Sequence, residues 1–559
     1  MRDRQNPAGY YMIENSLYYG AALLSALILL IFRVVFMSET GLSGQGLLAP
    51  SLYLYLGSLL LSCFFVPASV SRLVSLRMGR KHPADAVRLM RMLCLHMTAA
   101  GVFLILFFWF AGPSLAAFAG LPFSSHAVRW IGIVLWLEGC LGVMRGYHIG
   151  RGNSLPALLS VVIEQLSGGI ASLFLNRYFL SYGSKANLLY DETAYIGAYG
   201  AQGAVFSFAF GALFAIFALN AMSALSGGSM QEANEGRRME NMDSLHRSEL
   251  RTFLPMLGTA LIMLLGPAID AFIYSRRVSA VYESREQITG FFGAASGAVL
   301  IFFLLLFAAG GQMAGLMPGI HSAAQQKNKK LLCRRIRTSA KSISIAACFG
   351  CSLAAALRFP LSYLFFSGED PALMQGLLLY GFVFLFFGML SIETCGILFG
   401  LGHFTAPLQN ALICFLGQLI LFLILLYAAK LEMYGLLLAN GASLFGFWLL
   451  NMLYLRRCIR MRISFRTTWL LPLFSAAVSY FGIFLLSSLC NAVLPDTVQT
   501  MRIVAAIMVL VFSFVAAGLS FCFLLFSGAV SPRELLDMPL GTLVYRFALN
   551  AGFFSEEDV

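Results

Sequence analysis

Fourteen apolar runs, each near the roughly 20 residues that cross about 30 Å of hydrocarbon, recur along this 559-residue chain. They lie near 15–37, 48–73, 91–112, 127–148, 155–178, 195–224, 252–275, 288–314, 338–359, 373–401, 406–429, 433–455, 467–491 and 501–527. Only 11% of the residues are charged, against about 25% in a soluble domain. The 52 glycines suit bilayer helices, where glycine is more frequent than in soluble ones. The expected fold is therefore all-α and polytopic, with about fourteen transmembrane helices. "MRDRQNPAGYYMIENS" is followed by no small-residue cleavage site, so the first run reads as a retained helix rather than a signal peptide.

Basic residues orient the bundle. Assigning alternate connections to opposite sides places Arg2 and Arg4, Arg72 to Arg91, Arg145 and Arg151, Arg237 to Arg251, Lys327 to Lys341, Arg456 to Arg466, and Arg533 and Arg546 together. These are 28 of the 38 Lys and Arg. By the positive-inside rule both termini face the cytoplasm. The net charge of +12 then reads as topology and contact with anionic headgroups. A nucleic-acid surface would not alternate with every second helix.

"GYHIGRG", from Gly146, has glycines at a spacing that invites comparison with a phosphate loop. Such a loop needs a strand before it and Lys-Ser/Thr after it, and neither is present. The segment instead repeats: Gly146, Gly150 and Gly152 return as Gly396, Gly400 and Gly402, each 250 positions later. Pro67 and Ser71 likewise recur as Pro318 and Ser322. Six spans separate each pair, which predicts two six-helix bundles related by a pseudo-two-fold along the membrane normal, plus two C-terminal helices. The expected division is 1–227, a cytoplasmic linker 228–250, 251–457, and 458–559. The glycines are expected to close the cytoplasmic hairpins between spans 4 and 5 and between 10 and 11, where small residues let backbones approach.

Cysteine and histidine add no chemistry at this level. The eleven cysteines fall mostly inside apolar spans and read as small hydrophobes, including the "CFGC" pair Cys348 and Cys351. The seven histidines show no metal-ligand spacing, and no cofactor is expected.

The layout and the stretches "IFRVVFMSETGLSGQGL", "MRGYHIGRGNSLPALLSVVIEQ", "LPMLGTALIMLLGPAIDAFIYSRRV" and "GILFGLGHFTAP" resemble the multidrug/oligosaccharidyl-lipid/polysaccharide flippase superfamily. Within it the resemblance is to the branch of stage V sporulation protein B and the lipid II flippases. It implies alternating-access export of a polyprenyl-pyrophosphate-linked saccharide across a bacterial cytoplasmic membrane by a monomer, with Na⁺ or H⁺ as a coupling ion that the residues do not specify. It also implies that the two extra helices hold the polyprenyl tail. Lipid II flippases are similar in carrying several arginines in the first bundle, whereas span 1 here has only Arg33.

Ionisable residues in bilayer helices are functional candidates because each costs about 2.5–3.5 kcal/mol even on the lenient insertion scale. Arg33 lies in the outer half of span 1 and reads either as a phosphate clamp or as snorkelling to headgroups. Glu138 and Arg145, seven apart, share a helix face, and Glu164 lies near mid-membrane. They form either a structural network or a group that exchanges a proton or cation. Asp270 follows Gly266-Pro267, where the helix is expected to kink. With Arg276 and Arg277 it matches the branch's Asp-x₅-Arg-Arg pattern. The candidate substrate-binding set is Arg33, Arg145, Asp270 and Arg277, and the candidate coupling set is Glu138, Glu164 and Glu393. Competing readings are a cation-coupled multidrug antiporter of the same superfamily, an integral-membrane glycosyltransferase or ligase, and a scaffold. The enzyme would need catalytic groups on sizeable loops, whereas the connections 179–194 and 225–251 read as solvated. The scaffold leaves the buried charges unexplained.

Overall fold

A computed structural model describes residues 7–225, 239–281, 284–366, 372–461, 464–493, 495, 498, 501–539 and 541–550. Arg2, Arg4, Arg237, Arg238 and Arg462, and the first part of the expected linker, 228–238, lie outside the described residues. Every regular element described is helical. In chain order they are α1 (Pro7–Leu60), α2 (Val66–Gly79), α3 (Pro83–Phe118), α4 (Ser125–Val128), α5 (Ile131–Gly150), α6 (Leu155–Tyr190), α7 (Ala194–Leu225), α8 (Met242–Ser248) and α9 (Leu254–Val281). Then come α10 (Arg285–Gln325), α11 (Lys329–Ala356), α12 (Arg358–Phe365), α13 (Ala372–Tyr380), α14 (Phe382–Leu401), α15 (Thr405–Tyr427) and α16 (Glu432–Ile459). The last are α17 (Leu471–Val493), α18 (Arg502–Phe526), α19 (Pro532–Asp537) and α20 (Gly541–Asn550).

Thirteen helical stretches among the described residues are long and apolar enough to cross a membrane. The first, Ser16–Gly79, runs for 64 residues, enough for two crossings. It is interrupted at Gly41 (φ 67°, ψ −170°), a backbone conformation essentially confined to glycine. Phe103, Phe110, Phe174 and Phe514 are exposed in mid-helix, as expected of side chains that face lipid rather than water. The protein is thus an all-helical, multi-pass membrane protein.

Two features differ from the sequence reading. The segment 179–194, expected as a solvated connection, is mostly a continuation of α6. Its residues include no proline, and the helix stops only at Asp191, which is left-handed (φ 51°). Spans 4 and 10 are each broken near their start. α4 ends at Val128 and α5 begins at Ile131, while α13 ends at Tyr380 and α14 begins at Phe382. α5 and α14 are both 20 residues long. Beyond each, the third glycine of the repeated cluster is left-handed, with φ +82° at Gly152 and +93° at Gly402. A side chain is disfavoured there, so both glycines serve as helix stops.

Residues 24–296 form one compact unit, and 1–23 with 297–559 form the other. In the first, α5 packs closely on α2 because Gly142, Gly146 and Gly150 make a four-residue stripe of missing side chains. A Cβ on Gly146 would stand 2.6 Å from Val70 Cβ and 2.9 Å from Pro67 Cα. In the second, α17 and α18 are joined by a Ser475–Ser520 hydroxyl contact and by Ser479, which donates to the Ala516 carbonyl at 3.1 Å. α11 is tied to the C-terminal segment by Lys341 Nζ, which donates to Ala529 O at 2.9 Å and Glu534 Oε2 at 2.8 Å. Glu534 and Ser531 complete a capping box on α19.

Candidate functional site

In the unit 24–296 the glycine stripe of α5 sets the position of Arg145. Close approach to the segment before α2 brings the guanidinium to two successive residues, Ser62 and Cys63. Nη1 lies 3.4 Å from Ser62 Oγ and 3.2 Å from Cys63 Sγ. Both residues sit in a π-helical turn, Leu61–Phe65, and such turns are frequent at functional sites. Seven residues before Arg145 on α5, Glu138 accepts a hydrogen bond from Ser62.

The opposite side of Arg145 is supplied by α6. Arg145 Nε donates to Ser160 Oγ at 2.8 Å, and Nη2 donates to Glu164 Oε2 at 2.5 Å. Ser160 and Glu164 are four residues apart, so they share one helix face. Glu164 is closed in from behind by α7, where Gly211 leaves no Cβ, an atom that would otherwise lie 2.6 Å from the Glu164 carbonyl. Gln165 Nε2 donates to Glu164 Oε1 at 2.9 Å and to Tyr55 Oη at 3.0 Å.

Tyr55 links this network to Arg33. The Tyr55 ring stacks on Phe208 with centroids 3.8 Å apart. The Arg33 guanidinium lies 4.9 Å from the Phe208 centroid and 5.1 Å from that of Phe36. Arg33 is 1% exposed, and its Nε and Nη1 have no hydrogen-bond partner. Aromatic faces contribute roughly 2 kcal/mol to a desolvated cation, but they leave the N–H groups unsatisfied. Arg33 and Arg145 balance Glu138 and Glu164, so the buried cluster is formally neutral. Within it, Arg33 alone keeps donors open to an incoming acceptor.

The remaining sequence candidates are placed elsewhere. Asp270 is fully buried on α9, which continues as helix through Pro267. Arg276 and Arg277 are exposed near its end, with the Arg276 guanidinium 5.4 Å from the Phe118 centroid. Glu393, in the other unit, is 2% exposed and neither carboxylate oxygen has a hydrogen-bond partner. It borders a small cavity with Thr394, Trp448 and Trp469. Positions 250 after Glu138, Arg145, Ser160 and Glu164 are Gly388, Cys395, Asn410 and Cys414, so the repeat does not duplicate the charge cluster. All eleven cysteines are free, and Cys351 Sγ lies 3.5 Å from the Phe382 carbonyl.

Sequence reasoning missed Tyr55, Ser62, Cys63, Ser160, Gln165 and Phe208, which are neutral and common in such spans. A search for polar side chains inside apolar runs, beyond the charged ones, finds Gln165 next to Glu164. It also missed His96, His246 and Glu249. Their ligand atoms all lie within 4.8 Å of one another, although 153 positions separate His96 from Glu249.

No family model and no curated protein matches this sequence. Solved structures do. A MATE protein in its straight conformation is 14% identical, with a TM-score of 0.58, over 81% of this chain and 96% of its own. An inward-facing multidrug resistance MATE family transporter of the MOP superfamily is 16% identical, with a TM-score of 0.56, over 78% and 94%. A MOP superfamily transporter from Pyrococcus furiosus, described as having a binding pocket of reverse polarity, is 14% identical, with a TM-score of 0.56, over 81% and 96%. This chain is therefore a polytopic helical membrane protein with the fold seen in MATE transporters of the MOP superfamily.

Proposed function

We propose that this chain is an alternating-access transporter that moves a polyprenyl-pyrophosphate-linked saccharide from the inner to the outer leaflet of a bacterial cytoplasmic membrane. The observation that carries the reading is Arg33, a buried cation with two open donors inside a helical unit, suited to a phosphate oxygen. Neighbours of the same fold include inward-facing and outward-facing transporters, which supports transport over glycosyl transfer or ligation. They are matched nearly end to end, yet leave about a fifth of this chain unmatched. That excess is close in size to 458–559, the segment that holds α17 and α18, the helices assigned to the polyprenyl tail. Movement of an anion outward is aided by the membrane potential, at about 2.3 kcal/mol per charge per 100 mV.

Full-length protein reconstituted in vesicles tests this reading. A fluorescent polyprenyl-pyrophosphate saccharide is expected to change leaflets, and an analogue with a neutral linkage is not. Equal movement of both lipids, or of neither, overturns it. Orientation is part of the proposal: a cysteine at Lys185 is expected to react with impermeant thiol reagents in intact cells, and one at Asn234, which lies outside the described residues, is expected to be protected.

A second reading, a cation-coupled multidrug antiporter, is favoured by Glu393, a buried carboxylate among tryptophans that suits an organic or inorganic cation. Uptake of an organic cation driven by a proton or sodium gradient and lost in Glu393→Gln would select it.

A further inference from the structure

We propose that His96, His246 and Glu249 form a binding site for a divalent cation of the zinc class, separate from the Arg33–Arg145 cluster. His96 lies on α3. His246 lies on α8, and Glu249 opens the π-helical turn Glu249–Phe253 that leads into α9. The carboxylate already faces both imidazoles. His96 Nδ1 is 2.8 Å from Oε1, and His246 Nδ1 is 3.6 Å from Oε2. The two rings stack with centroids 5.7 Å apart and planes 26° apart, and each presents its Nδ1 to the Glu249 carboxylate.

Two imidazoles and a carboxylate are a known ligand set for zinc, with water in the fourth position. Ligand atoms about 2.0–2.1 Å from a tetrahedral ion stand roughly 3.4 Å apart. The farthest pair here is therefore within about 1.5 Å of that spacing. The needed contraction falls on the two histidines, whose side chains are 41% and 46% exposed, while Glu249 is 15% exposed. Their exposure also gives the ion a route in.

An ion here joins two parts of the chain far apart in sequence. The neighbouring contacts already dock the same segment: Arg77 Nε to Glu240 Oε2 at 2.9 Å, Arg77 Nη2 to Ser248 Oγ at 3.1 Å, and the Glu240 amide to both Asp85 oxygens at 3.2 Å. Bound metal completes this clamp one turn before α9 and holds the segment 239–253 against α3.

The test uses purified full-length protein, stripped with a chelator and titrated with Zn²⁺ against a chromophoric competitor. One equivalent per chain is expected, together with a rise in melting temperature. His96→Ala, His246→Ala and Glu249→Gln are each expected to weaken binding about 10–100-fold or more and to abolish the thermal shift. His96→Cys supplies a thiolate ligand and is expected to retain binding, which separates lost coordination from lost folding. Failure of the wild type to bind Zn²⁺ at micromolar concentration overturns the proposal. So does unchanged affinity in all three variants, which would move binding to a thiol such as the exposed Cys458.

Discussion

Arg145 donates through Nη2 to Oε2 of Glu164 at 2.5 Å, and the two side chains are 1% and 0% exposed. Breaking a buried pair from one side strands the other charge, at about 3–5 kcal/mol. Arg145→Met is therefore expected to lower the melting temperature in detergent sharply. Arg145→Met combined with Glu164→Met removes one charge of each sign and is expected to recover most of the loss. A double variant no more stable than the single one would mean that Ser62 and Ser160, rather than Glu164, set the energy of the Arg145 site.

Arg33 has a different profile. Its guanidinium rests on Phe36 and Phe208 and leaves two donors unused, so its removal strands no anion directly bonded to it. Arg33→Ala is expected to abolish lipid movement in vesicles while leaving the yield of folded protein within about two-fold. Arg33→Lys is expected to keep part of the activity, because an ammonium preserves charge but loses the planar fork. Full transport by Arg33→Ala would return this arginine to a packing role.

The glycine cluster separates two constraints that a sequence merges. At Gly146 the limit is space, since Val70 and Pro67 stand where a side chain would go. At Gly152 it is backbone conformation, with φ +82° and nothing within 4 Å of the place a Cβ would take. Asparagine tolerates the left-handed region. Gly152→Asn is thus expected to express and melt close to the wild type, whereas Gly146→Asn is expected to lose folded protein in detergent size-exclusion profiles.

Partial burial pushes the Glu534 carboxyl up, but hydrogen bonds from Lys341 and the Ser531 amide, with the Lys341 charge, outweigh it and hold the group below its ordinary value. A carboxyl lowered on folding stabilises above its unfolded pKa, and that stability is lost as pH falls through the folded value. Protease protection of 529–539 is expected to fall below the ordinary carboxylate range. Lys341→Met is expected to weaken it at neutral pH and flatten the acid dependence. An unchanged acid profile in that variant would locate the pH response elsewhere.

Much of the architecture was legible because the bilayer enforces it. Fourteen apolar runs and the breaks between them follow from hydrocarbon thickness, and the glycines at 146, 150 and 152 announced their counterparts at 396, 400 and 402. Buried charge was equally readable, and it led to Arg33, Glu138, Arg145 and Glu164, which the fold brings into one neighbourhood. What stayed hidden depends on tertiary placement. Tyr55 and Phe208 join Arg33 to Glu164 through ring stacking, which leaves no spacing in the chain. His96 and His246 meet only because α8 folds back on α3. The helical extension of α6 past 179 was masked by Ser181, Gly183, Ser184 and Asn187, which favour turns and caps over helix interiors, and it follows instead from packing on α7, where Gly183 meets the Ile196 backbone.

Gly41 separates Arg33 from Tyr55 along the first long helix, and its φ of 67° with ψ of −170° is open to few other residues. Arg33 thus reaches the Glu164 network by two routes. One is the stack of rings through Phe208 and Tyr55, and the other is a covalent path broken at Gly41, with Pro50 inside the helix between it and Tyr55. The cation with open donors therefore lies on one side of a break in the helix, and the balanced Arg145–Glu164 pair lies wholly beyond it.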